Sequence, residues 1–204
     1  MYFRGCFCSS AHGQTLALAA ARESIVLLQN KGSLLPLGRA TDQSGQSTEG
    51  ESLESNGRPV KVVKVVAMIG QIGASTAVLM GGKSDYCPEN PISLLAGIQA
   101  KANASSGAWS VQYNDGSDTT AAVALAKSAD VVIVVRGGVQ DGEAKDRKMI
   151  TLDNTKDQMD ACVAGLKAAA IPSSKMILAV VTGEAVALEE YVAIHVERRD
   201  DDTP

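Results

Sequence analysis

Val131-Val132-Ile133-Val134-Val135, entered through Ser128-Ala129-Asp130 and left through Arg136-Gly137-Gly138, is the run whose reading decides the fold. Five β-branched residues without polar alternation describe a strand covered on both faces, as at the centre of a parallel sheet flanked by helices. In open sheets of this kind ligands collect beyond the carboxyl ends of the strands. The segment that follows, through Gly142-Glu143-Ala144-Lys145-Asp146-Arg147, is therefore the first place to look for function. By residue type alone Glu143 stands among Asp141, Lys145, Asp146, Arg147 and Lys148, the composition of a solvated charged loop.

Outward from that strand, helix and strand patterns alternate. Residues 14–30 have a helical composition, and Gly32 follows where a helix stop belongs. Leu34-Leu35-Pro36-Leu37 reads as extended. Residues 60–69 read as a strand that exits into Gly70-Gln71-Ile72-Gly73, a tight turn short of the Gly-x-Gly-x-x-Gly dinucleotide fingerprint. Asn90 as cap and Pro91 in the first turn open a helix with Ile92, Leu95, Ile98 and Ala102 on one face. Trp109, Val111 and Tyr113 alternate with polar residues as in a half-exposed edge strand, and a short alanine-rich helix spans 118–128. Thr155 and Gln158 match a capping box ahead of a buried stripe of Met159, Cys162, Val163, Leu166 and Ala170. Residues 175–182 read as another doubly buried strand. Strands separated by helices imply right-handed crossovers and a three-layer α/β/α sandwich with a mainly parallel sheet.

The chain's 204 residues, 45% hydrophobic and 21% charged, suit one domain with one core. Three zones depart from it. Residues 1–13 read as an N-terminal arm, and 39–59, poor in apolar residues, as a disordered insertion in the sandwich spanning 14–195. Residues 196–204 are a charged tail. A net charge of -4, from 19 Lys+Arg against 23 Asp+Glu, offers no footprint for nucleic acid. No apolar stretch is long enough for a membrane span, since 16–28 is interrupted by Arg22 and Glu23. Cys6, Cys8 and His12 lack the fourth ligand of a structural zinc, so neither metal nor cofactor is expected.

Several motifs together carry a resemblance: Ala20-Ala21-Arg22-Glu23-Ser24-Ile25-Val26-Leu27-Leu28-Gln29-Asn30, Leu35-Pro36-Leu37, Val66-Ala67-Met68-Ile69-Gly70, Ala129-Asp130-Val131-Val132, Gly142-Glu143-x-x-Asp146-Arg147 and Val180-Val181-Thr182-Gly183. From about His12 to Leu188 the chain resembles the second domain of family 3 glycoside hydrolases, the β-glucosidase type. That resemblance implies an α/β sandwich that meets a separate (β/α) barrel, in cis or in trans, with a β-linked glucoside or oligosaccharide between them. It implies that Glu143 is the general acid/base, that Asp146 and Arg147 orient the loop or substrate, and that the nucleophilic aspartate belongs to the barrel and not to this chain. A truncated or stand-alone chain, inactive alone and short of the sandwich's last strand and helix, is the accompanying expectation. If the chain does turn over alone, Asp85, Asp115 and Asp141 are the carboxylates to test as nucleophile. The family's Leu-Pro after the Asp-Arg pair is Leu152-Asp153 here, and its proline after Ser-Gly-x is Ala185. A non-catalytic carbohydrate-binding or interaction remnant of the same fold is the second reading.

Overall fold

A computed structural model describes residues 11–30, 33–37, 52–53, 59–60, 63–76, 91–105, 108–137, 159–182 and 186–187, with the backbone alone at 52–53 and 59–60. In chain order these hold α1 (Ala11–Glu23), β1 (Ser52–Leu53), β2 (Pro59–Val60), β3 (Val65–Ile69), α2 (Gln71–Ala74), α3 (Leu94–Asn103), β4 (Ser110–Asn114), α4 (Thr119–Ser128), β5 (Val131–Gly137), α5 (Met159–Ala168), a 3-10 turn at Ser173–Lys175 and β6 (Met176–Val181). The pair β1 and β2 is a small antiparallel ladder. The main sheet is parallel and runs β4-β3-β5-β6.

That order reverses direction between β4 and β5, and right-handed crossovers then demand helices on opposite faces. The side-chain alternation agrees. Val132 and Val134 of β5, with Ala67 and Ile69 of β3, face a core closed by Ala122 and Ala126 of α4 and by Met159, Cys162, Val163 and Leu166 of α5. Val131, Ile133 and Val135, with Val66 and Met68, face the other core, against Ile72, Leu95 and Ile98. Every residue of β5 is buried, as a doubly covered strand requires. The three-layer α/β/α sandwich is thus present.

Local chemistry sets the helix boundaries. Asp118 caps α4 by accepting the Ala121 N–H at 3.0 Å. Ser93, rather than Asn90, caps α3, its hydroxyl oxygen accepting the Ala96 N–H at 3.1 Å. The start lies later than expected because this second good cap takes the role, leaving Pro91 and Ile92 ahead of the helix. The N-terminal helix is shorter than the 14–30 reading, ending at Glu23. There the Ser24 hydroxyl donates to the Ala21 carbonyl, β-branched Ile25 and Val26 follow, and no residue of α1 is buried, so nothing extends the helix against its propensities. At the end of α5 the stripe shifts: Ala170 is exposed with φ 52, and Ile171 takes the buried place.

β6 is half-buried beyond Met176, not doubly buried, because among the described residues it has a strand neighbour on one side only. The Leu35–Pro36 bond is cis. Asn30 brackets this turn, its amide donating to the Leu35 carbonyl at 2.8 Å and its carbonyl accepting the Leu35 N–H at 3.1 Å. Residues 1–10, most of 39–59, the Asn90 and Gln158 capping positions, and 188–204 lie outside the described residues. Among those described, no helix is long and apolar enough to cross a membrane.

Candidate functional site

The carboxyl edge of the sheet is where the topology opens a crevice, between β3 and β5, from which the chain departs in opposite directions. Two glycines shape it. Gly70, leaving β3 with φ 126, donates its N–H to the Asn114 carbonyl at 3.0 Å and lies so close to the Val135 carbonyl that a Cβ would collide with it. Gly137, ending β5, is pressed in the same way against the Val181 carbonyl of β6. The Gly70-x-x-Gly73 run is accordingly a close-packed strand exit. Next to it, β4 leaves through Asn114-Asp115-Gly116-Ser117, where Asn114 Oδ1 accepts the Gly116 N–H at 2.8 Å.

Asp115 is built into this turn. Its Oδ1 accepts the Ser117 hydroxyl at 2.6 Å and the Ser117 N–H at 2.8 Å. These bonds, the hydroxyl first, hold its carboxyl below the ordinary aspartate range. Burial, and then the Asp115 charge, push the Tyr113 hydroxyl up. Asp115 is thus a stabilised, exposed carboxylate with a structural role, unlike a carboxylic acid poised to give up a proton.

β5 continues its alternation past the apolar residues, so Arg136 falls on the side of Val132 and Val134. Its side chain is 1% exposed, and Nη2 donates to Asp160 Oδ1 at 2.9 Å. Burial raises the Cys162 thiol on the same helix, and Arg136 draws it part of the way back. At the opposite, amino edge Asp130 Oδ2 accepts the N–H groups of Lys64 at 2.9 Å and Val65 at 2.8 Å, fixing the start of β3. Lys175 Nζ donates to the carbonyls of Ala126 at 2.8 Å and Ala129 at 3.0 Å, closing the end of α4. Local sequence pattern assigns no role to Arg136, Asp160, Asp130 or Lys175, nor to Asn30 as the bracket of its turn. A charged residue directly adjoining an apolar strand run was the available signal for three of them.

Glu143, Asp146 and Arg147 lie in the segment joining β5 to α5, outside the described residues, as do Asp85 and Asp141. The structure describes where that segment leaves the sheet, at Gly137, and where α5 begins, at Met159. His12 lies in the first turn of α1 and is exposed, and among the described residues no three His, Cys, Asp or Glu side chains gather as metal ligands.

A parallel sheet in the order β4-β3-β5-β6, covered on both faces and opening at the ends of β3 and β5, defines a doubly wound α/β sandwich. Residues 25–197 match the glycosyl hydrolase family 3 C-terminal domain, and the chain belongs to that family. It is 31% identical over 181 residues to probable β-D-xylosidase 6 of Arabidopsis thaliana, an alignment covering 86% of the chain and 19% of the plant protein. Among solved structures the fold resembles β-D-glucoside glucohydrolase from Trichoderma reesei, with TM-score 0.64 at 18% identity over 91% of this chain and 25% of that one. It also resembles β-glucosidase D2-BGL from Chaetomella raphigera, with TM-score 0.60 at 20% identity over 91% of this chain and 25% of that one. The chain therefore spans a small part of each relative's length.

Proposed function

We propose that the chain is the sandwich half of a retaining β-glycosidase, presenting Glu143 as general acid/base to a β-linked glucoside, xyloside or short oligosaccharide. The observation that carries this reading is topological: the Glu143 segment issues from β5, an interior, wholly buried strand at the point where the sheet reverses direction, within a chain of this hydrolase family. Retaining hydrolysis needs two carboxyl groups about 5–5.5 Å apart, one attacking the anomeric carbon and one protonating the departing oxygen. The second is Glu143, and the attacking aspartate comes from a (β/α) barrel packed over the carboxyl edge. Closure of that barrel removes water from Glu143 and brings a second carboxylate near, the two conditions that raise a glutamate's pKa into the range of an acid at neutral pH. Asp146 and Arg147, three and four residues on, orient the segment and the sugar hydroxyls.

The test is release of the aryl alcohol from an aryl β-glucoside or β-xyloside by the chain alone and by the chain mixed with a family 3 barrel domain. The chain alone is expected to release nothing, and the mixture to turn over. Glu143→Gln in the mixture is expected to lower kcat by about 10²–10⁴. Full activity of that variant, or carbohydrate binding without turnover in every mixture, would overturn the reading in favour of a non-catalytic module.

A further inference from the structure

Among the described residues, Arg136 is the one charged side chain in the buried set, at 1% exposed, while its partner Asp160 is 68% exposed. The position is costly without a counter-charge, because a guanidinium taken out of water needs an anion and hydrogen bonds to be tolerated. It also lies against the first turn of α5, the positive end of that helix, where a cation is further disfavoured. Asp160 sits in that turn and answers both, a carboxylate at the helix start that accepts from Arg136 at 2.9 Å. The pair joins the residue before the last of β5 to the second residue of α5. It therefore ties together the two ends from which the chain spans residues 138–158.

We propose that Arg136 and Asp160 form a positioning pair that fixes the exit of β5 and the start of α5, so that the intervening segment begins and ends at set points. The pairing stands on its own geometry, whereas its consequence for Glu143 rests on the function proposed above. Two fixed end points reduce the closure entropy that any connection between them must lose, which is the general means by which a scaffold positions a loop.

Asp160→Asn and Asp160→Glu in the full chain test this. Because Asp160 is exposed, neither substitution touches the core. Trypsin cuts after Lys145, Arg147, Lys148 and Lys156 within the segment, and after exposed Lys101 and Lys127 elsewhere, which serve as reference sites. The asparagine variant is expected to raise cleavage in the segment about fivefold relative to the reference sites, and the glutamate variant to stay within about twofold of the parent. In the barrel-complemented assembly the asparagine variant is expected to lose kcat with KM unchanged. An unchanged cleavage ratio, or a rise shared equally by Lys101 and Lys127, would overturn the proposal. Absence of turnover in the parent assembly would instead sink the glycosidase reading, with the cleavage ratio still deciding the pair.

Discussion

Gly70 and Gly97 are the same residue under opposite constraints. Gly70 has φ 126 and no room for a Cβ beside the Val135 carbonyl, whereas Gly97, within α3, has nothing within 4 Å of that position. Gly70→Ala is expected to lower unfolding free energy by about 2–4 kcal/mol, from backbone strain and collision together. Gly97→Ala is expected to raise it by about 0.5–1 kcal/mol, by removing unfolded-state freedom. Urea titration of the two variants beside the parent checks both signs. In sequence, Gly70 is legible as a strand exit, yet its close neighbour lies 65 positions along the chain, and no local pattern carries that information. The same limit hid Arg136–Asp160, which alternation and helix propensity describe separately and only the fold brings together. Glu143 is singled out as a candidate by the motif around it, since its charged neighbours alone describe a solvated loop, and it lies outside the described residues.

Among elements, those the sequence describes well are the ones whose local preference and tertiary partner agree. The apolar run of β5, the alternation of β4, and the stripe of Met159, Cys162, Val163 and Leu166 in α5 all stand as read. The misread boundaries are those where partners decide: α1 stops at Glu23 without a surface to bury against, and Ser93 displaces Asn90 as the cap of α3. The end of α4 belongs to the same class. Its last carbonyls are received by Lys175, which stands 46 residues after Ala129 and just ahead of β6. Lys175→Met keeps the aliphatic stem and removes the donor, and is expected to cost about 1–2 kcal/mol. Hydrogen exchange should show the loss concentrated in the last turn of α4 before it appears in β3 and β5. Uniform acceleration across the sheet would contradict this assignment.

For the molecule as a whole, the outstanding surface feature among the described residues is N-terminal. Leu16, Leu18, Ile25, Val26, Leu27 and Leu28 are between 51% and 79% exposed, in a segment with no residue of α1 buried. Apolar groups gathered in this way favour association over solitary life in water. The purified chain is expected to sediment with a mass that rises with concentration, and a Val26→Lys, Leu28→Glu double variant to remain monomeric over the same range. Equal behaviour of the two would exonerate the segment. The strand order carries a different consequence, for synthesis. β4 adds to one side of β3, β5 to the other, and β6 to the outer side of β5. Among the described strands of this sheet, each, as it leaves the ribosome, meets an edge still unpaired, and none has to be threaded between two already joined. The sheet can grow outward at the pace of translation, without the undoing of earlier pairings that slows folds whose middle strand arrives last.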